Sequence, residues 1–284
     1  MKEFSRCHPI VNLIFYAVVL AFGVTLMHPV CLAVAFLGSI LVSAAASGVK
    51  KTAATIGIAL TIAIITAAFN GLFNHAGVTI LCYFPNGNAL TLESITFGAM
   101  SGIMLATVIV WFVSLNQVIT SEKIMYLFGS ILPSISLMIS QVLRFVPEFI
   151  RNFKAISTAR QAIGKGDENK FVKLKKTFFA FITISLENAI QTADSMKARC
   201  YGNARRTSYT NYKFTVRDAI LLSAILFFAG VTLYGVISGD TKAVYFPSIA
   251  FGKITQQTVI AYILLCATPL FFGIWERLRW EKLK

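Results

Sequence analysis

The sequence predicts an all-α membrane protein with about six transmembrane helices and a cytoplasmic segment of long amphipathic helices. Of its 284 residues, 56% are hydrophobic and only 13% are charged, and the mean hydropathy is +0.71. A soluble domain needs more polar side chains than this to cover its surface. Six apolar runs are also long enough, at about 18 residues or more, to cross a hydrocarbon core roughly 30 Å thick.

The predicted spans are arranged as four and then two, on either side of a charged segment. This order divides the chain into an N-terminal membrane domain over 1–119, a cytoplasmic coupling domain over 120–217, and two membrane helices with a basic tail over 218–284. Only the tripeptide MHP separates the first two spans, which therefore form a tight hairpin. The spans are Ile10 to Met27, Pro29 to Ala46, Thr52 to Asn70, Thr96 to Val118, Ala219 to Val236 and Thr258 to Trp275.

The distribution of charge predicts the orientation. When the N-terminus is placed inside, all of the 26 Lys and Arg residues except Lys242 and Lys253 lie on one side of the membrane. By the positive-inside rule that side is the cytoplasm, so both termini are expected to be cytoplasmic and the protein to be a multi-pass protein of the cell membrane. The net charge of +14 therefore reflects the membrane topology and favours attraction to the anionic lipid of the bilayer. No nucleic-acid partner is expected.

The two outer loops have the composition of turns. The loop from Gly71 to Ile95 contains an Asn-Gly pair and a β-prone run from Val78 to Phe84, which predict a small hairpin or a surface loop. The loop from Ser238 to Gln256 is similar in composition.

The first part of the cytoplasmic domain, Ser121 to Ile150, predicts one or two helices interrupted at Pro133 and Pro147, because proline breaks a helix or occupies its first turn. A helix from Pro147 to about Gly164 follows. At 100° per residue one face of it is apolar and includes Arg160. The apolar members of that face are Phe149, Phe153, Ile156 and Ile163.

A third cytoplasmic helix is predicted from Lys170 to Cys200, with Arg199 at the edge of its apolar stripe and Gly202 as its end. At 1.5 Å per residue it is roughly 45 Å long. The stripe comprises Phe171, Leu174, Phe178, Ile182, Ser185, Ala189, Met196 and Cys200.

The predicted spans contain no Asp, Glu, Lys, Arg or His. Ion-coupled pumps, proton relays and intramembrane hydrolases need ionisable groups at membrane depth, so these classes are not favoured. There is no P-loop motif, the five cysteines form no C-x-x-C pair, and His8, His28 and His75 lack the spacing of metal ligands. We expect a protein that is not an enzyme and has no metal or cofactor of its own.

Small residues in two spans allow helices to approach closely. The fourth span contains a G-x-x-x-G pattern at Gly98 and Gly102, and the second contains a run of small residues from Ser43 to Gly48. These patterns fit either packing within the chain or docking of another membrane subunit.

The cytoplasmic stripes must be buried against the bilayer interface, against each other or against a soluble partner. An arginine beside such a stripe needs a carboxylate or backbone carbonyls to receive its donors. Arg160 and Arg199 therefore either contact a partner protein or extend to lipid phosphates and helix ends.

Two motifs in the cytoplasmic domain resemble a known family. Leu143, Arg144, Phe145 and Pro147 match an L-R-F-x-P segment, and a second motif of the type Met-x-Ala-Arg-Gly-Tyr follows later. The chain is identified by these motifs as similar to the transmembrane T subunits of energy-coupling factor transporters, the CbiQ-like proteins. Cys200 stands where the family has glycine in the second motif. In the family the helix after L-R-F-x-P ends near Ala-Arg-Gly, and with Gly164 as that glycine, Ile163 stands where arginine is expected. The second motif is matched by Met196, Ala198, Arg199 and Tyr201.

The resemblance implies a coupling subunit of an ATP-driven importer for a vitamin or a metal ion. In such a complex two ATPases of the ATP-binding-cassette type bind ATP, and a membrane S component binds the substrate. Contact with the ATPases would fall to Ala159, Arg160 and Gln161 on one helix and to Ala198, Arg199 and Cys200 on the other. Contact with the S component, or helix packing, would fall to Phe178, Ile182, Ser185 and Ala189, with Gly98 and Gly102 in the membrane.

Two other functions fit parts of the sequence. An ordinary permease subunit of an ATP-binding-cassette importer would share the membrane helices, but two long coupling helices argue against it. A membrane-embedded lipid-modifying enzyme would need a cluster of acidic groups, and Glu148, Glu187 and Asp194 are too far apart in sequence to propose one.

Overall fold

The computed structural model describes residues 2–83, 89–131, 133–163, 169–201 and 212–281. It divides into two compact units, one made of Met1–Ser121 with Tyr212–Lys284 and the other of Glu122–Asn211. We call these the membrane unit and, after its predicted location, the cytoplasmic unit. The predicted turn glycines Gly164 and Gly202 lie outside the described residues.

The described elements are ten helices and four short strands. In the membrane unit they are α1 (Lys2–Arg6), α2 (Pro9–Thr25), α3 (Pro29–Ser47), α4 (Val49–Phe73), β1 (Ile80–Tyr83), β2 (Ala89–Thr91) and α5 (Leu92–Val118), and, after the cytoplasmic unit, α9 (Val216–Ile237), β3 (Ala243–Val244), β4 (Ala250–Phe251) and α10 (Gln256–Glu281). The cytoplasmic unit contributes α6 (Ser121–Ile131), α7 (Pro133–Ala162) and α8 (Lys170–Ala198).

The predicted all-α membrane fold is confirmed. Each of the six predicted spans coincides with a helix: α3, α4, α5, α9 and α10 are long and apolar enough to cross a membrane, and α2 is a shorter apolar helix of 17 residues. Strand β1 pairs antiparallel with β2, and β3 pairs antiparallel with β4, so both outer loops form small hairpins.

An aromatic cluster forms the centre of the membrane unit. The rings of Phe15 and Tyr16 on α2 meet Trp111 of α5 edge-on, with ring centres 6.0 and 6.1 Å apart. Phe4 packs edge-on against Phe15 at 5.5 Å. The hydroxyl of Tyr16 is hydrogen-bonded to that of Ser114 at 2.7 Å, so the polar atom that comes with this large ring has a partner.

Glycines set the close contact between α4 and α5. A Cβ atom on Gly98 would lie 3.0 Å from the carbonyl oxygen of Ala67, and a Cβ on Gly102 would lie 2.5 Å from that of Ala63. Real Cβ atoms do not approach backbone this closely, so both positions require glycine. Packing within this chain accounts for the G-x-x-x-G pattern.

Polar side chains accept hydrogen bonds from backbone N–H groups at the starts of several apolar helices. His8 and His28 each stand directly before a proline and accept the backbone N–H two residues later through Nδ1, at 3.3 Å in both cases. Asp218 of α9 accepts the N–H groups of Thr215 at 2.9 Å and of His8 at 3.1 Å, which ties the start of α9 to the start of α2. Glu93 of α5 accepts the N–H and the hydroxyl of Thr79.

One predicted helix boundary in the cytoplasmic unit, the one at Pro147, is wrong. Pro133 begins α7 as predicted, but Pro147 lies inside that helix, which continues to Ala162 without a break. An internal proline removes one hydrogen bond and costs about 3 kcal/mol, but α7 contacts α8 on both sides of Pro147, and this packing outweighs the local preference. Helix α8 begins at Lys170 as predicted and ends at Ala198, two residues before the predicted Cys200.

We predict that Gly102→Ala lowers the free energy of unfolding by about 1–3 kcal/mol, because the new methyl group overlaps the Ala63 carbonyl. Gly57→Ala on α4 is the matched control, since its Cβ meets nothing within 4 Å. The control should keep or raise stability. Thermal unfolding of both variants in one detergent measures the difference, and equal midpoints would show that α4 and α5 are not in close contact at Gly102.

Candidate coupling site

Helices α7 and α8 form an antiparallel pair within the cytoplasmic unit. Near the start of α7, the side-chain amide of Gln141 contacts the sulfur of Met196 at 3.0 Å. Further along, the ring of Phe181 meets Phe149 and Phe153 edge-on, with centres 5.5 and 5.8 Å apart. Residue numbers rise on one helix as they fall on the other, so the C-terminal end of each helix lies beside the N-terminal half of its partner.

A polar groove of about 530 Å³ lies between the two helices. Among its lining residues are Arg144 and Phe145 of α7 and Met196, Arg199 and Tyr201 from the end of α8. The guanidinium of Arg144 also lies over the Phe145 ring, 5.9 Å from its centre. The two motifs that carry the family resemblance, about fifty residues apart in sequence, therefore line one groove.

The remaining groove residues were not predicted from the sequence. Most are polar side chains at helical spacing, and this spacing is a signal that a search for apolar stripes does not detect. Glu148 is half-buried there, one turn from Arg144. The others are Leu137, Ser140 and Gln141 on α7 and Asn188, Gln191, Thr192 and Ser195 on α8.

The chain turns sharply directly after Arg199. Cys200 has φ of +58°, and its N–H donates to the carbonyl of Lys197 at 2.9 Å, while the N–H of Tyr201 donates to that of Met196 at 3.1 Å. These two bonds define a Schellman motif, in which the residue after the C-cap adopts the left-handed conformation and is usually glycine. The expected glycine is replaced by cysteine in this chain without loss of the turn.

The predicted ATPase-contact residues occupy opposite ends of the helix pair. Arg199 is exposed at the end of α8, together with Ala198 and Cys200. Arg160 is half-buried near the end of α7, between the exposed Ala159 and Gln161. Arg160 lies 19 positions beyond Gln141, which corresponds to roughly 28 Å along the helix from the contact with Met196. The structure therefore does not bring the two arginines together.

Most of the predicted stripe on α8 lies beside the contact with α7. Phe181, which is not in that stripe, contacts two α7 rings, and Thr177 one turn earlier is 2% exposed. Of the stripe residues, Met196 contacts Gln141 of α7. Phe178 is 52% exposed, Ala189 is exposed, and Ile182 and Ser185 are half-buried. Further apolar side chains of α8 are exposed as well, namely Phe171, Leu174, Phe179, Leu186 and Ile190.

Comparison with known proteins decides the family. The model of the CbiQ family, described as a cobalt transport protein, matches residues 4–209. The chain belongs to the CbiQ family. The transmembrane protein EcfT of an energy-coupling factor transporter from Bacillus selenitireducens is 26% identical over 180 residues, covering 54% of this chain and 67% of that protein. The predicted resemblance to the T subunits of energy-coupling factor transporters is confirmed.

The CbiQ match spans both long helices of the cytoplasmic unit and all of the membrane unit up to α5. It stops before α9 and α10. Among the described residues, no group of three or more His, Cys, Asp or Glu side chains is arranged to hold a metal ion. The features that this CbiQ protein presents at α7 and α8 are thus a polar groove, two arginines and exposed apolar faces.

We predict that Cys200→Gly slows hydrogen exchange of the amides of Cys200 and Tyr201. A left-handed conformation costs an L-residue about 1–2 kcal/mol, and glycine removes that cost, which corresponds to roughly five- to thirtyfold slower opening of the turn. Cys200→Ala is the control and should exchange at the native rate, because alanine has the same backbone restriction. Faster exchange in the glycine variant would contradict the turn geometry.

Proposed function

We propose that this chain is the transmembrane coupling subunit of an energy-coupling factor importer for a vitamin or a metal ion. Its partners would be two ATPases of the ATP-binding-cassette type, which bind the ATP, and a membrane S component, which selects the substrate. The observation that carries the proposal is the antiparallel α7–α8 pair, which presents one arginine, Arg160 or Arg199, near each of its two ends. The chain itself would perform no catalysis.

The separation of the two arginines supports contact with two ATPases. Each helix end carries one arginine, Arg160 or Arg199, between small or polar residues that leave it accessible from the side. A guanidinium offers five donors in a fixed plane and pairs well with carboxylates or backbone carbonyls. Two sites roughly 33 Å apart along the pair are suited to two similar protein surfaces, one for each helix end.

The length and continuity of the helices support transmission of movement. Helices α7 and α8 have 30 and 29 residues, which gives each roughly 45 Å. Their backbones are hydrogen-bonded along this length, and Phe181 joins them between Phe149 and Phe153. A displacement of Arg160 or Arg199 by ATP-driven closure of the ATPases would therefore move the whole helix pair, and with it a bound S component.

The exposed face of α8 supports a further protein contact. Phe178 and Phe179 are 52% and 60% exposed, and Leu186 and Ile190 continue the same face at 61% and 64%. Side chains of this size are rarely left in water as a continuous patch. The S component is the proposed occupant, and the Phe178 to Ala189 stripe borders this face.

The orientation is proposed from the charges. The basic residues of the cytoplasmic unit, together with Lys50 and Lys51 at the start of α4, support a cytoplasmic location for that unit and for both chain termini. The hairpins β1–β2 and β3–β4 would then lie on the outer side of the cell membrane.

Neither alternative is favoured by a specific observation. An ordinary permease subunit does not need two long helices with arginines at opposite ends. A lipid-modifying enzyme needs clustered acidic groups, but Glu187 and Asp194 are exposed on α8 and Glu148 lies in the groove beside Arg144. The three carboxylates are therefore not arranged as one catalytic group.

We predict that Arg199→Glu abolishes co-purification of the ATPases while membrane insertion is retained. Removing one partner of a buried charge pair at an interface costs about 2–5 kcal/mol, so recovery should fall roughly thirtyfold or more. Lys197→Glu, an equal change of charge two residues earlier on the exposed surface, is the control and should recover the ATPases. Normal recovery with Arg199→Glu would remove this residue from the proposed contact.

We predict that the double variant Phe178→Asp with Ile182→Asp weakens capture of the S component, because two carboxylates would be desolvated at an apolar contact. Thr158→Asp, at an exposed position of α7 away from this face, is the control and should capture the S component normally. Pull-down from the native membrane with quantification of bound proteins measures the effect. If the S component is captured normally by the double variant, this face of α8 does not bind it.

A further inference from the structure

A second cavity lies in the membrane unit, between α9 and α10. It is an apolar groove of about 550 Å³, a volume within the range of about 300–1,000 Å³ that is usual for small-molecule sites. Leu221 and Thr268 form its floor at 4% and 8% exposure. The half-buried Ala224 adds a small side chain to the lining, and Phe271, 59% exposed, stands at the side of the groove. The groove lies beyond the part of the chain that matches the CbiQ model.

One end of the groove is polar. Arg217, exposed in the first turn of α9, and Trp275 of α10 line this end. The lining positions run from Arg217 to Phe228 along α9, a length of roughly 16 Å. The groove is therefore an apolar channel with a cation and a large amphipathic ring at one mouth.

Asp218, the carboxylate next to Arg217 in sequence, accepts hydrogen bonds from other groups. Asp218 is 3% exposed and accepts hydrogen bonds from the N–H and the hydroxyl of Thr215 and from the N–H of His8. It is not among the groove residues. The positive end of the α9 dipole adds to the attraction of an anion at this mouth.

We propose that this groove binds one phospholipid with an anionic headgroup. Both helices are apolar enough to span a membrane, so an acyl chain is the ligand that matches the walls. A guanidinium is well suited to a phosphate because its donors engage two oxygens at once, and tryptophan is enriched where a helix meets the headgroup layer. The acyl chain lies over Ala224 and Thr268, and the phosphate lies at Arg217.

Fluorescence quenching by brominated lipid tests this site on the full-length protein. The protein is placed in nanodiscs of phosphatidylcholine and phosphatidylglycerol at one fixed ratio, with bromine on the acyl chains of either one lipid or the other. Bromine quenches tryptophan only on close approach, and Trp275→Phe gives the background from Trp111 and Trp280. We expect quenching of Trp275 to correspond to an enrichment of phosphatidylglycerol of about fivefold, the value for one basic residue near an anionic surface.

Two charge variants separate a built site from general attraction. Arg217→Gln should abolish the enrichment, whereas Lys213→Gln, which removes an exposed charge four residues earlier outside the groove lining, should retain it. If Arg217→Gln does not fold, Ala224→Phe fills the floor, leaves every charge in place and should remove the same enrichment. Equal quenching by both lipids, or an equal loss in Lys213→Gln, would overturn the proposal and indicate ordinary surrounding lipid.

Discussion

The first turn of an apolar helix has backbone N–H groups without intrahelical partners, and in hydrocarbon no water is present to accept them. The membrane unit meets this constraint with side chains just outside its apolar runs. His8 and His28 cap α2 and α3 through the same ring nitrogen, and Asp218 at α9 also holds the backbone of His8. Glu93 of α5 accepts the hydroxyl of Thr79, next to the β1–β2 hairpin. These contacts help to set where α2, α3 and α9 begin, and Asp218 holds the start of α9 beside the start of α2.

Hydrophobicity and length were sufficient to predict the six spans, because each apolar run is limited by polar or turn residues. The buried carboxylates Glu93 and Asp218 were not predicted, since they lie at the ends of those runs, where composition does not distinguish a cap from a surface charge. Pro147 was assigned to a helix boundary on local preference, and its place inside α7 depends on contacts with α8 that no local pattern contains. The meeting of Arg144 with Arg199 in one groove depends on the same helix pairing.

In the cytoplasmic unit, polar groups line the space between the helices and many large apolar side chains lie on the surface. Its helices are joined by a polar groove and a few aromatic contacts, while the larger apolar side chains of α8 remain exposed. Such a pair is incomplete as an isolated unit, and binding partners would bury the faces it leaves open. The turn at Cys200 fixes the direction in which the chain leaves Arg199, so the arginine is held at the very end of a continuous helix. A coupling subunit needs this combination of rigid length and accessible ends.

Site-specific photocross-linking directly tests whether the two ends of the α7–α8 pair contact the ATPases. A photoreactive phenylalanine analogue placed at Gln161, and separately at Ala198, would report what touches each end of the helix pair in the complex isolated from its native membrane. If α7 and α8 are the coupling helices, we expect an adduct with an ATPase subunit from both positions, since Gln161 flanks Arg160 and Ala198 flanks Arg199 on an exposed surface. Adducts only with lipid or with this chain, at both positions, would contradict the assignment of α7 and α8 as the coupling helices.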